Sequence, residues 1–79
     1  MRWVVYILQC ADDTLYTGIT NDLPARLEAH ESGSGAKYTK GRGPFTLLYS
    51  EKCADRSSAS KRELAIKKLS RTDKIKLYQ

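Results

Sequence analysis

Two runs rich in Val, Ile and Tyr, Trp3–Cys10 and Leu15–Thr20, flank the short stretch Ala11-Asp12-Asp13-Thr14. Runs of this composition, broken by turn residues, read as the two strands of a hairpin. Loop length then decides which side chains share a face. A two-residue loop at Asp12-Asp13 would pair odd positions with even ones and send Tyr6 and Tyr16 to opposite sides. A three-residue loop, Asp12 to Thr14, pairs odd with odd. Only the second choice sorts the chain cleanly. Trp3, Val5, Ile7, Leu15 and Ile19 then form a core face, and Tyr6, Leu8, Cys10, Tyr16, Gly18 and Thr20 form the other. The odd loop is therefore the prediction, with both tyrosines on one face and Gly18 leaving open space between its neighbours.

Past the hairpin, Asn21-Asp22 can cap a helix, with Pro24 tolerated in its first turn. That helix runs to about Ser32 and stops at Gly33. Residues 33–44, GSGAKYTKGRGP, are glycine-rich and basic and read as a loop. Phe45–Ser50 is a third strand. A second helix begins at Asp55 or Ser57 and continues to about Ser70, and Thr72 can cap a short last helix. The expected fold is α+β: a small three-stranded antiparallel sheet flanked by two main helices and a short C-terminal helix. With 79 residues, no internal repeat and no linker, one domain over residues 1–79 is expected.

The formal net charge is +5, from 14 Lys and Arg against 9 Asp and Glu, which favours a polyanionic partner such as nucleic acid. No apolar run approaches the roughly 20 residues needed to span a membrane. The apolar start is brief and lacks a small-residue cleavage site, so no secretory signal is expected. Cys10 and Cys53, with a single histidine, make neither a disulfide framework nor a zinc site. They read as reduced thiols in a cytoplasmic protein.

Three segments carry side chains suited to chemistry. On the first helix Arg26 and His30 are four apart and so share a flank. Taken singly, Arg26 reads as a surface arginine, and His30 as a histidine near a helix C-terminus stabilised by the dipole. On the second helix Ala59, Ala65, Ile66 and Leu69 form the inward stripe, and Glu63 falls at its edge. A carboxylate there needs a cation. Arg62 could supply it as an ion pair, or Glu63 could ligate a hard metal such as Mg²⁺. In the loop, Lys37, Lys40 and Arg42 alternate with Tyr38 and glycines, which suits close approach to phosphates. The loop does not match a Walker phosphate-binding loop.

These residues together resemble the GIY-YIG nuclease family, in its small stand-alone, single-domain bacterial members. VVY at Val4–Tyr6 stands where the first motif is expected, and YTG at Tyr16–Gly18 where the second is. NDLPARLEAH resembles the family's helix, with Arg26 in the catalytic arginine position and His30 one turn on. KREL resembles the segment that supplies the metal-binding glutamate, Glu63. The likeness runs from about Trp3 to Lys76. Val4, Val5 and Thr17 depart from the motif residues, at positions where strand packing can absorb the change.

The resemblance implies metal-dependent hydrolysis of a phosphodiester in nucleic acid, DNA rather than RNA, with one Mg²⁺ or Mn²⁺ ion held by Glu63. Arg26 would contact the phosphate. Tyr16 would act as general base, with Tyr6 positioning the water or phosphate and His30 as the rival base. Positive charge from Arg26, Lys37 or the metal could lower a tyrosine's pKa from about 10. With no appended recognition domain, selectivity for nucleic-acid structure is expected, with a protein partner as a possible source of specificity. Many relatives carry a C-terminal asparagine, and this chain has none after Asn21. Two further readings therefore stay open: a nucleic-acid binder that does not cut, and a protein interaction module.

Overall fold

The computed structural model describes residues 3–79; Met1 and Arg2, the first two residues of the domain expected over 1–79, lie outside the described residues. Strand β1 (Trp3–Gln9) and strand β2 (Leu15–Thr20) form the hairpin. Helix α1 (Leu23–Ser32) follows, then a 3-10 turn (Lys37–Thr39), strand β3 (Thr46–Cys53), helix α2 (Arg56–Lys67) and helix α3 (Arg71–Ile75). The sheet is antiparallel in the order β2-β1-β3, so β1 is central and β2 is an edge.

The parity is the one the apolar pattern demands. Val5 faces Ile19, Tyr6 faces Gly18 and Leu8 faces Tyr16. The loop lies one residue earlier than expected, at Ala11–Asp13. Cys10 N–H bonds Thr14 O at 2.9 Å and Asp13 N–H bonds Cys10 O at 3.0 Å. Asp13 takes the left-handed conformation (φ 66°), a geometry that short polar side chains tolerate. Asp12 accepts from the Thr14 hydroxyl at 2.6 Å and from its N–H at 3.2 Å, which stiffens the turn.

The odd face makes the core. Val5, Ile7 and Ile66 are fully buried, with Leu15, Ile19, Tyr49, Cys53, Leu77 and Tyr78 packed around them. Each such side chain stabilises the fold by about 1.5–3 kcal/mol. Helix α2 therefore lies across this face. Its inward stripe is narrower than expected, since Ala59 and Ile66 are buried but Ala65 is exposed. The helix also stops at Lys67, because Ser70 caps α3 by accepting from Asp73 N–H at 3.1 Å; Thr72 does not take that role. Strand β3 outruns the expected end at Ser50 because Glu51, Lys52 and Cys53 still pair with β1. Cys10 and Cys53 are free thiols. Among the described residues no helix is long and apolar enough to cross a membrane.

Helix α1 covers the even face. Asp22 caps it by accepting from Ala25 N–H at 3.2 Å, and Gly33 ends it at φ 84°. The Ser34 N–H then closes on Ala29 O at 2.9 Å. That ending turns the chain back over His30.

Candidate active site

Tyr6 and Tyr16 lie on the even face with ring centroids 6.3 Å apart. Gly18 makes this possible. A Cβ there would sit 2.7 Å from Tyr6 Oη and 2.8 Å from Tyr16 Cε2. Tyr6 thus leans across β2 toward the outer edge of the sheet, and the site forms along that edge.

His30 reaches down from α1 into the same space and is 1% exposed. Tyr6, Tyr16 and Phe45 surround its ring, with centroids at 5.9, 5.2 and 5.9 Å. Gly35 lies against it, where a Cβ would come 2.6 Å from Nδ1. Both ring nitrogens are engaged: Nδ1 is 2.8 Å from Thr39 Oγ1 and Nε2 is 2.8 Å from Tyr6 Oη. Proton counting fixes the directions. The Thr39 hydroxyl donates its one proton to Ala36 O at 2.9 Å. It must then accept from His30 Nδ1–H, which leaves Nε2 as the acceptor for the Tyr6 hydroxyl. Thr39, itself 1% exposed, thereby sets the tautomer of His30. Nothing in the sequence pattern marks Thr39, because a 3-10 turn inside a glycine-rich loop has no periodicity to read.

Burial, and secondarily the nearby Arg26 charge, hold the His30 pKa below its ordinary value of 6.5. His30 is therefore neutral near pH 7. A depressed histidine contributes stability that is complete above about pH 6.5 and is lost as pH falls from there through the native pKa. Because His30 is the single histidine, a fall in melting temperature that begins as pH drops below about 6.5 reports on it. His30→Gln is expected to flatten that segment of the profile. A native profile already flat there would contradict the buried, neutral ring.

Burial also pushes the Tyr6 pKa above 10.0, and the Arg26 contribution, which lowers it, does not win. Tyr6 is consequently a neutral phenol near neutral pH. Arg26 lies beside both phenols, which raise its own pKa. Yet its buried Nε has no hydrogen-bond partner among the described residues, and no carboxylate pairs with it there. Arg26 is a half-buried cation without an anion.

Glu63 approaches from α2 with its side chain 20% exposed, 3.4 Å from Lys67 Nζ. Its charge opposes ionisation of Tyr6, which places the carboxylate in the same field. Arg62 is not its partner: Arg62 Nε bonds Glu51 Oε1 at 3.1 Å, and Tyr49 donates to the same oxygen at 2.6 Å. Among the described residues no group of three metal-ligating side chains occurs. An ion at Glu63 would thus need most of its ligands from water and substrate. A lone carboxylate suits a hard cation of that habit.

The basic loop divides. Lys37 and Lys40 are exposed. Arg42 is committed to the fold: its guanidinium bonds Asp12, donates to Tyr38 O at 2.7 Å, and lies 4.5 Å over the Tyr38 ring. Tyr38 in turn stacks on Tyr16 at 5.9 Å. Arg42 therefore braces the site rather than standing free beside Lys37 and Lys40.

The family model for the GIY-YIG catalytic domain matches residues 2–78, and the chain belongs to that family, which implies chemistry of nuclease type. Relatives within the family include UPF0213 proteins. The chain is 55% identical to one from Oceanobacillus iheyensis over 75 residues, 95% of this chain and 87% of the relative. It is 59% identical to one from Desulfotalea psychrophila over 78 residues, 98% of this chain and 71% of that one. The solution NMR structure of a UPF0213 protein from Bacillus halodurans has the same fold, with TM-score 0.61, 45% identity, and coverage of 98% and 82%. A protein from E. faecalis, also solved by NMR, aligns with TM-score 0.67 at 40% identity, covering 96% and 81%.

Proposed function

We propose that the protein is a metal-dependent nuclease that hydrolyses a phosphodiester in nucleic acid, DNA by preference, and selects its substrate by structure rather than sequence. The observation that carries this reading is Arg26, a cation kept beside two phenols with its Nε unpartnered among the described residues. A planar guanidinium in that condition is a receptor for a phosphate oxygen.

Each residue then has a role. Arg26 binds the scissile phosphate and stabilises the charge that grows on it during in-line attack. Tyr16 is half-buried and lines an open recess; as the general base, its phenolate oxygen takes the proton of the attacking water and becomes the phenol. Tyr6 is fully buried with its proton directed at His30 Nε2, so it positions the phosphate through Arg26. His30 is too buried to meet water and acts through Tyr6. Glu63 holds the divalent ion, which when bound neutralises charge on the phosphate and leaving oxygens. Lys37 and Lys40 contact the backbone of the strand.

The test is incubation of labelled branched, duplex and single-stranded DNA and RNA with Mg²⁺ or Mn²⁺, beside Glu63→Gln. The substitution is nearly isosteric and removes only an i,i+4 ion pair, worth about 0.2–0.5 kcal/mol. It should leave the fold intact yet slow cleavage by at least about a hundredfold. Equal cutting by both proteins, or cutting without a metal, would sink the proposal. Tight binding without cutting under every condition would favour a binder.

A further inference from the structure

We propose that a recess at the outer edge of β2 binds the phosphodiester linkage next to the scissile one, so that two consecutive phosphates of one strand are gripped. This rests on the nuclease reading above and extends it along the substrate. The recess, of about 250 Å³, is lined by Leu15, Tyr16, Thr17, Tyr38, Lys67 and Lys74.

Thr17 is the first reason. It is 3% exposed, and its Oγ1 is buried with no partner among the described residues. A buried hydroxyl without a partner destabilises a fold, and each one in a native structure calls for an explanation. An aliphatic side chain, such as the isoleucine of the family motif, would cost nothing of the kind at this position. A phosphate oxygen arriving in the recess would accept its proton.

The hairpin register is the second. Cys10 N–H bonds Thr14 O, so Cys10 and Thr14 are a hydrogen-bonded pair. Alternation then turns the backbone groups of Tyr16 and Gly18 toward β1 and those of Leu15 and Thr17 away from it. Since β2 is an edge, the Thr17 amide points where no strand pairs with it. The amide of Thr17 thus faces the open edge, and its hydroxyl, unpartnered among the described residues, belongs to the same lining residue.

Charge is the third. Lys67 and Lys74 reach the recess from α2 and α3. Lys67 also lies 3.4 Å from Glu63, and Tyr16 is shared between the recess and the pair of phenols. The recess therefore adjoins the Arg26 position along the strand edge. Backbone N–H, hydroxyl and lysine are the usual donors to a nucleic-acid phosphate.

The experiment measures anisotropy of fluorescein-labelled branched DNA with a chelator present, across a salt series. Thr17→Val should bind about five- to tenfold more weakly with the native salt slope, and melt no lower than the native protein. Lys74→Ala should reduce the slope of log affinity against log salt by about one. Lys52→Ala, on the opposite edge strand β3, should change neither. Native affinity in Thr17→Val, or a Lys74→Ala slope matching that of Lys52→Ala, overturns the subsite while leaving the nuclease reading untouched. A native protein that fails to bind the DNA at low salt removes both.

Discussion

Gly18→Ala is expected to lower stability by about 1–3 kcal/mol, or about 4–8 °C in melting temperature for each kcal/mol, and to abolish cleavage. The cause is steric alone, because Gly18 is not among the residues with positive φ. The added carbon would meet Tyr6 Oη at 2.7 Å, Tyr16 Cε2 at 2.8 Å and Tyr6 Cζ at 2.9 Å. Neither ring has an easy retreat. Tyr6 is fully buried and tied to His30 at 2.8 Å, and Tyr16 is backed by the Tyr38 ring at 5.9 Å. Displacing Tyr6 also breaks the bond that keeps Nε2 of His30 satisfied. The decisive measurement is a double-mutant cycle with Tyr16→Leu. Removing the ring that the methyl strikes should recover part of the lost stability, giving a favourable coupling of about 0.5 kcal/mol or more. A Gly18→Ala protein as stable and active as the native one would mean that the two rings are not packed across this glycine.

The hairpin was the most legible part of the molecule because one face of it is buried. Apolar segregation admits a single parity, and a one-residue error in loop position leaves the parity intact. That is why Asp12–Thr14 and Ala11–Asp13 give the same pair of faces. Strand β3 was harder to delimit. Its last residues, Glu51 to Cys53, pair with β1 without an apolar alternation of their own. The end of α2 was hidden by Ser70, which can end one helix or begin another, and the structure uses it for the second purpose.

In the site, the sequence placed Arg26 and His30 on one flank and Glu63 at the edge of a buried stripe, and the structure has both arrangements. It could not show that His30 turns inward, since the contacts that bury it come from Tyr6, 24 residues away, and from Thr39 in the loop. For the same reason Arg42 looked like a free loop cation. Its partner Asp12 is 30 residues distant in the hairpin turn, a pairing that no local pattern encodes.

Arg26→Met is expected to separate activity from stability. Cleavage should fall about a thousandfold, the scale on which a single arginine stabilises a phosphoryl-transfer transition state. The melting temperature should stay level or rise. Methionine keeps an unbranched apolar stem, while the buried Nε with no partner among the described residues disappears. A side chain that destabilises the resting fold but serves the reaction is typical of a functional site. The substitution carries a second signature. The Arg26 charge is one of the two causes that depress the His30 pKa, so its removal moves that pKa back toward 6.5. The stability lost on acidification should then begin from the same pH but be smaller in total, because folded and unfolded values lie closer together. If Arg26→Met instead loses stability and activity in parallel, with an unchanged acid profile, Arg26 is a packing residue and the anion-receptor reading fails. Loss of cleavage at full stability leaves the phosphate as the partner that Nε lacks among the described residues of the resting fold.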